Sequence, residues 1–187
     1  MIRDSLLAYV FWHWPQPGVS PGTYMEHLRA FHKDLFLYKP AGFLSSAAFQ
    51  MSGAPWLPPN SDTYEDWYFV EGSCALDILN DAAVTPPLKE SHDRSAHGAA
   101  GGTAGLYRLR LGSGELASMR QALWFSKPAG VSYEQLYRQL QPVAEQGASL
   151  WGRQMTLGPT PEFCLTGGEE VARHIDGARI GLEPVWR

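Results

Sequence analysis

The chain has 187 residues and a formal net charge of −4, so it is long enough to bury a sizeable core but lacks the basic surface that nucleic-acid binding needs. Its two cysteines, Cys74 and Cys164, indicate neither a disulfide framework nor a cage of thiolates around a metal ion. With no secretory signal at the N-terminus and no apolar run of membrane-spanning length, the sequence predicts a cytoplasmic protein without a membrane partner.

The first predicted element is a strand with the sequence "LLAYVFWHW", which is rich in aromatic residues and ends at Pro15. Both of its alternating faces are largely apolar. One face carries Leu7, Tyr9, Phe11 and His13, and the other carries Ala8, Val10, Trp12 and Trp14. The pattern predicts a strand that is covered on both sides.

A helix is predicted next, over the segment "YMEHLRAFHKDL". Thr23 is a suitable N-cap, and Glu26 three residues later completes a capping box. The apolar residues recur at helical spacing: Tyr24, Leu28, Phe31 and Leu35. This stripe predicts a helix that packs on a sheet.

The rest of the first half supplies three more strands and one more helix. The strands are "GFLSSAAFQM", "WYFVEG" and "LYRLRL", and the helix is "SCALDILNDAAV" with Ser73 as its N-cap. Residues 85–103, between that helix and the last strand, are predicted to form an irregular loop. The resulting order, βαββαβ, is that of a ferredoxin-like unit.

The second half repeats this order. The segment "QALWFSKPAGVSYEQLYRQL" aligns with "AYVFWHWPQPGVSPGTYMEHL", with Tyr133 under Tyr24, and Gln-Met recurs at 50–51 and 154–155. The sequence therefore predicts an α+β fold made of two tandem ferredoxin-like repeats. We place the first repeat at 1–114, with the loop 85–103, and the second, shorter repeat at 115–187.

Two motifs of the first half, "TYMEHLRAFHKDL" and "EDWYFVEGSCALDIL", resemble the EthD-like members of the dimeric α+β barrel superfamily. The resemblance covers roughly residues 6–80. It implies two antiparallel four-stranded sheets packed into a barrel with helices outside, the second repeat standing in for a second subunit. Members of the superfamily include cofactor-independent monooxygenases, lactone isomerases, decarboxylases, dehydratases and binding proteins, and one tandem-repeat branch binds haem.

The resemblance points to His32 as a catalytic residue, because His32 matches the family's helix histidine. An imidazole at a pocket could give or take a proton, and the second repeat has Gln141 at the aligned position. The alternative is that His32 only caps the last turn of its helix. His13 would assist if its strand face lines the barrel interior, and would be a hydrogen-bonded core residue if that face meets the helices.

Candidate substrate-binding residues come from the aromatic content of the strands and from one arginine. They are Tyr24, Trp12, Trp67, Trp124, Trp151 and Arg153. The tryptophans could line a pocket or fill a core. Arg153 could pair with a carboxylate or an enolate, or project to solvent at a sheet edge.

The remaining histidines have less specific readings. His27 is predicted to lie on the surface, because five residues separate it from His32 and the two cannot share a helix face. His92 and His97 lie in the predicted loop, which could be a lid or a solvated linker. His174 is either the end of a helix or the candidate ligand of a haem.

These observations favour an enzyme that binds a small apolar or aromatic molecule inside the barrel and transforms it by metal-free acid/base chemistry of the monooxygenase, isomerase or decarboxylase type. They leave open a non-catalytic ligand-binding or dimerisation module, and a haem-binding protein. No cofactor is expected apart from the haem alternative. A homodimer is a further expectation, since aromatic surfaces and strand edges favour association.

Overall fold

A computed structural model describes residues 6–59, 62–116, 119–156, 160–168 and 174–187. The first half contains β1 (Leu7–Pro15), α1 (Pro21–Tyr38), β2 (Phe43–Ser52), β3 (Thr63–Val70), α2 (Cys74–Ala83), α3 (Lys89–Gly98) and β4 (Ala99–Leu111). The second half contains β5 (Gln121–Phe125), α4 (Tyr133–Glu145), β6 (Ser149–Thr156), β7 (Phe163–Thr166) and β8 (Ala178–Trp186).

The eight strands form one closed antiparallel barrel in the order β1-β3-β2-β8-β5-β7-β6-β4. Within the barrel, β4-β1-β3-β2 and β8-β5-β7-β6 repeat the same ferredoxin-like order, and the seams β2–β8 and β4–β6 join the halves. The predicted α+β fold with two tandem repeats is therefore confirmed. The predicted boundary after residue 114 falls between β4 and β5, and the exact division remains a proposal.

Large aromatic side chains fill the interior of the barrel. Trp12, Trp67, Trp124 and Trp151 are all fully buried there. The ring centroids of Trp12 and Trp124 lie 5.2 Å apart, and those of Trp67 and Trp151 lie 5.4 Å apart. Edge-to-face contacts at such distances are favourable, so these rings form a packed core.

Helix α1 begins three residues earlier than the sequence indicates. Its N-cap is Ser20, whose Oγ accepts a hydrogen bond of 3.1 Å from the backbone N–H of Thr23, and Pro21 occupies the first helical position. The predicted N-cap Thr23 is therefore wrong, because proline has no N–H to satisfy and its fixed φ suits the first turn. The predicted apolar stripe of α1 is buried, as expected.

The segment 85–103 is not the predicted loop. Residues 89–98 form α3, and the residues after them begin β4. Ion pairs between Lys89 and Asp93 and between Glu90 and Arg94 join successive turns of α3. The Ser95 hydroxyl also donates a 3.0 Å hydrogen bond to the carbonyl of His27 on α1. Charge pairs and one tertiary contact thus hold a helix whose sequence has little apolar periodicity.

In the described part of the chain, no helix is long and apolar enough to cross a membrane.

Candidate functional site

A cavity of about 670 Å³ lies between the outer face of the first-half sheet and the helices α1, α2 and α3. Aromatic and aliphatic side chains form most of its wall, including Tyr9, Phe11, Leu28, Phe31, Tyr68, Leu79 and Ala83. Three polar side chains, His13, Tyr24 and Asp66, also line it. A mostly apolar wall with a few convergent polar groups is typical of a small-molecule site.

Asp66 on β3 is the centre of this polar group. It is only 2% exposed, and its Oδ2 lies 3.2 Å from His13 Nε2 and 3.4 Å from His32 Nε2. The hydroxyl of Tyr68 donates a 3.0 Å hydrogen bond to the same oxygen. One carboxylate oxygen is therefore shared by two imidazoles and a phenol.

The far nitrogen of each imidazole is held by a hydroxyl. His13 Nδ1 lies 2.6 Å from the hydroxyl oxygen of Tyr24, and His32 Nδ1 lies 2.8 Å from Ser46 Oγ. A hydroxyl can donate to a neutral imidazole nitrogen or accept from a protonated one. Both histidines can thus change charge without losing this hydrogen bond.

The electrostatics favour an ionised carboxylate among protonated phenols. Burial by itself raises the pKa of Asp66, but the facing imidazoles of His13 and His32 outweigh burial and hold that pKa well below its usual range. Burial, and next the charge of Asp66, raise the pKa values of Tyr24 and Tyr68. At neutral pH Asp66 is therefore an anion and the two tyrosines are hydrogen-bond donors.

Several buried atoms of the cluster have no well-aligned hydrogen bond among the described residues. They are Asp66 Oδ1, His13 Nε2 and His32 Nε2. The two nitrogens are within ion-pair distance of Asp66 Oδ2, yet their N–H directions do not meet it well. Groups that are charged, buried and incompletely paired are costly to the fold. Because Asp66 and His13 line the cavity, a bound molecule could complete their hydrogen bonding.

Strand alternation explains why these side chains meet. In the β1–β3 ladder Phe11 pairs with Asp66 and His13 pairs with Tyr64, which puts His13 and Asp66 on the same outer face of the sheet. Helix α1 covers this face and brings Tyr24 and His32 onto it. Of the two orientations that the sequence left open for His13, the structure has the one that faces the helices.

The structure thus brings together only some of the predicted site residues. His13, His32 and Tyr24 belong to one cluster, whereas the four predicted tryptophans pack inside the barrel, on the opposite side of the sheet from the cavity. Arg153 lies elsewhere, exposed on β6 in a separate depression of about 290 Å³ that includes Tyr133 and Glu162. The cavity is therefore outside the barrel, and the expectation of a ligand inside it does not match this packing.

Sequence reasoning missed Asp66, Tyr68 and Ser46. A signal for Asp66 was present, because "YEDWYFV" places two acidic residues within an apolar strand, and charged residues are almost never fully buried without partners. Every residue of β3 is buried. No comparable signal marks Ser46, which is one of two adjacent serines in β2.

The second acidic residue of β3 points the other way, into the barrel. Glu65 is fully buried, and its two oxygens accept hydrogen bonds from the indole N–H groups of Trp12, at 2.7 Å, and Trp67, at 2.6 Å. Burial raises the pKa of Glu65 to about 7, although the two indole hydrogen bonds lower it. The pKa of Glu65 is therefore raised and that of Asp66 is lowered, although the two residues are neighbours in the chain.

The other histidines lie outside the cluster. His92 lines the cavity from α3, while His27 and His97 line a neighbouring depression between α1 and α3. His174 is exposed in a turn and is not among the lining residues of the cavity, so it does not fit the role of a haem ligand there. The predicted helix before it, residues 169–173, lies outside the described residues. Within the described ranges there is no group of three or more His, Cys, Asp or Glu side chains that could hold a metal ion.

The second half has an apolar residue at every position that corresponds to the cluster. Aligning the helix N-caps Ser20 and Ser132, and the strand pairs Trp12–Glu65 and Trp124–Cys164, relates the two halves. On this basis His13, Tyr24, His32, Ser46, Tyr64, Asp66 and Tyr68 correspond to Phe125, Leu136, Ala144, Ala148, Phe163, Leu165 and Gly167. The sequence alignment paired Tyr24 with Tyr133 and His32 with Gln141. Each of these partners lies three residues before the residue that occupies the corresponding place in the structure.

No family model and no curated protein matches the sequence. Among solved structures, a candidate monooxygenase from Fusobacterium nucleatum is similar with a TM-score of 0.67 and 9% identity, covering 97% of this chain and 93% of its own. A candidate monooxygenase from Lactobacillus acidophilus has a TM-score of 0.60 and 6% identity, covering 97% and 95%. At such identities the similarity concerns the fold, and the EthD-like subgroup remains a prediction. The chain therefore shares the barrel fold of these two structures, with both ferredoxin-like repeats in one polypeptide.

Proposed function

We propose that the protein binds a small aromatic molecule in the cavity and removes a proton from it, with His13 as the base. The observation that carries the proposal is the ionised Asp66, buried behind the cavity between two imidazoles, in a place where the second half has only apolar residues. A fold that needed only packing would not require these groups. Perturbed, buried titratable groups beside a cavity are typical of catalytic sites.

His13 is the best-placed base because it both lines the cavity and contacts Asp66. Once His13 takes a proton, the new positive charge faces the carboxylate of Asp66 and is stabilised by it. The hydroxyl of Tyr24, which lies 2.6 Å from His13 Nδ1, keeps the ring oriented. Tyr24 also lines the cavity, so the substrate proton can pass to the Tyr24 oxygen while the Tyr24 proton moves to His13 Nδ1. The Nδ1–H then donates to the Tyr24 oxygen, and the Tyr24 O–H donates to an oxyanion that forms on the substrate.

The cavity wall indicates the kind of substrate. The rings of Tyr9, Phe11, Phe31 and Tyr68 present aromatic surface to the cavity. A volume of about 670 Å³ is within the usual range for pockets that hold small molecules. Planar apolar molecules with one ionisable C–H or O–H group meet both conditions. Such molecules give delocalised anions, which need no metal ion for their stabilisation.

The proposed first step is common to several reactions. A delocalised carbanion can be reprotonated at another carbon, as in an isomerase, or can react with molecular oxygen, as in a metal-free monooxygenase. The two similar structures are described as candidate monooxygenases, which supports the oxygen-dependent outcome.

Anthrone is a suitable probe, because it is planar and carries an acidic C–H at C10. In D₂O without oxygen, we expect the protein to accelerate hydrogen–deuterium exchange at C10 at least about tenfold over buffer, as measured by NMR. In air, oxidation would convert anthrone and O₂ to anthraquinone and water, which an oxygen electrode detects. Exchange without oxygen uptake would indicate an isomerase-type reaction instead.

One observation supports a second candidate, a binding module without chemistry. Tryptophans pack the barrel interior, so the aromatic residues of the strands are explained by core packing alone and do not indicate catalysis. If the probe binds, as seen by quenching of protein fluorescence, yet neither exchanges its proton nor consumes oxygen, the binding module is favoured. The same result for other acidic aromatic ketones would exclude the proton-transfer function.

A further inference from the structure

His32 is part of the cluster but does not reach the cavity. It is fully buried and is not among the lining residues, whereas His13 and Asp66 are. Its polar contacts in the structure are Ser46 Oγ at 2.8 Å and Asp66 Oδ2 at 3.4 Å. Asp66 is therefore the polar group that connects His32 to the cavity.

Two aromatic rings hold the His32 imidazole from its faces. The ring of Tyr68 is stacked on it with a centroid distance of 5.2 Å and an interplanar angle of 8°. The ring of Trp186 is also stacked, at 6.4 Å and 23°. Both distances are within the range of favourable ring contacts. Together with the hydrogen bond to Ser46, these ring contacts help to hold His32 Nε2 at 3.4 Å from Asp66 Oδ2.

Trp186 differs from the other two neighbours because it belongs to the second half of the chain. It lies at the end of β8, which pairs with β2 so that Trp186 is opposite Ala48. The preceding residue is also fixed to α1, since Arg29 Nε donates a 3.1 Å hydrogen bond to the carbonyl of Val185. Val185 packs in the same apolar cluster as Tyr24 and Tyr64. The last strand of the second half therefore covers the polar cluster of the first.

We infer that Trp186 is a positioning residue for the proposed reaction: it keeps the His32 ring within ion-pair distance of Asp66, so that the second repeat completes the site of the first. This inference rests on the proposed function for its catalytic consequence. The effect of Trp186 on the position of the His32 ring does not depend on turnover, because it can be observed in the protein alone. Loss of a residue that orients a catalytic group through another lowers kcat and leaves binding nearly unchanged.

The test compares Trp186→Leu, which keeps apolar bulk without a ring, with Trp186→Phe, which keeps a ring. Histidine ring nitrogens are observed by NMR in the ¹⁵N-labelled full-length protein, and the His32 signals are assigned by their loss in His32→Gln. We expect Trp186→Leu to move the His32 ring signals toward those of a free imidazole, and Trp186→Phe to retain the native signals. Tyr38→Ala, which removes an exposed aromatic residue from the last turn of α1, serves as the matched control.

With anthrone as the probe, we expect Trp186→Leu to lower kcat for proton exchange about 10- to 100-fold with little change in KM, and Trp186→Phe to restore most of it. If Trp186→Leu retains the native His32 signals, the inference is overturned. If the native protein shows no exchange at all, the proposed function fails but the NMR comparison still decides the positioning role. Should Trp186→Leu not fold, a nuclear Overhauser effect between the Trp186 and His32 rings of the native protein replaces it, and absence of that effect contradicts the inference.

Discussion

The two halves of the chain build the same frame and fill it differently. On the outer face of its sheet the first half carries a buried carboxylate, two imidazoles and several hydroxyls, while the second half has only apolar side chains at the corresponding positions. Leu165 stands where Asp66 stands, and Phe125 where His13 stands. The second half shows that helix and sheet can pack here without any polar group. The polar cluster is therefore not required by the fold.

Buried charge is also the less stable solution. Removing ionised groups from water costs free energy that their mutual attraction often fails to recover, and apolar replacements of similar volume are frequently neutral or stabilising. The first half nevertheless keeps Asp66 at 2% exposure. The contrast between the halves indicates a role for the cluster other than stability, and each of the following experiments exchanges or isolates one element of that contrast.

Exchanging the residues at one matched position should give the largest effect. Leu165→Asp puts a carboxylate among the buried side chains of Leu123, Phe125 and Leu136, so we expect it to lower the free energy of unfolding by at least about 4 kcal/mol. Asp66→Leu removes a buried charge and introduces the residue that the second half has at this position, and should cost less than about 2 kcal/mol. Urea unfolding at pH 7 measures both. Equal costs would mean that the two environments are not as different as their residues suggest.

The buried Glu65 should give the stability a pH dependence of its own. Its pKa is raised from about 4.5 to about 7, so the folded state binds a proton more tightly than the unfolded state does. Stability from this group is fully present below pH 4.5 and is lost as the pH rises to 7, by about 3 kcal/mol. Glu65→Gln should remove this dependence.

The measurement for Glu65 is urea unfolding of the native protein and Glu65→Gln at pH 5 and pH 8, with Glu183→Gln, an exposed residue of β8, as the control. In the native protein the indole N–H signals of Trp12 and Trp67 should also titrate together near pH 7. A pH dependence that is identical in all three proteins would show that Glu65 keeps its charge state throughout.

Replacing His13 by the residue of the second half separates chemistry from packing. We expect His13→Phe to lower the rate of anthrone exchange about 100-fold, because the base is lost while an aromatic ring still fills its place. Its free energy of unfolding should change by less than about 2 kcal/mol. His97→Gln, on the exposed side of α3, is the control for a histidine outside the cluster. If both variants exchange the probe at the native rate, His13 is not the base.

The smallest expected change in the free energy of unfolding concerns two tyrosine hydroxyls. The hydroxyl of Tyr24 is bonded to His13, whereas the hydroxyl of Tyr64 has no hydrogen-bond partner among the described residues. Tyr24→Phe should therefore cost about 1 kcal/mol in thermal or urea unfolding. Tyr64→Phe, which reproduces Phe163 of the second half, should be close to neutral. A larger loss for Tyr64→Phe would contradict this assignment of partners.

Much of the fold could be predicted from the sequence, because turns and capping residues mark the elements and recur in both halves. The face of β1 that carries His13 could not be predicted, since both faces of that strand are apolar and alternation does not distinguish them. The aromatic residues Trp12 and Trp124 were equally compatible with a pocket and with a core. Only the closure of the barrel, which leaves the interior filled, decides that the cavity lies under the helices.

Part of the polar cluster could be predicted from the sequence. His32 could be predicted because its helix resembles a family motif, and His13 and Tyr24 because histidine and tyrosine are conspicuous in an apolar pattern. Asp66 was missed because its partners come from β1 and α1, which are distant in sequence, and nothing local shows that it is paired. Helix α3 was missed for a related reason. Its stability depends on charge pairs and on its contact with α1, which a search for apolar periodicity does not detect.

Closure of the barrel also limits how copies of this protein can associate. Each of the eight described strands has two hydrogen-bonded neighbours, so the described part of the sheet offers no free strand to which another chain could add. The predicted homodimer would have to form through side chains of helices or loops. Phe36, Leu37 and Tyr38, exposed together at the end of α1, are apolar residues of this kind. Association of this protein would thus depend on contacts between surface side chains, because the described strands already pair with one another within the single chain.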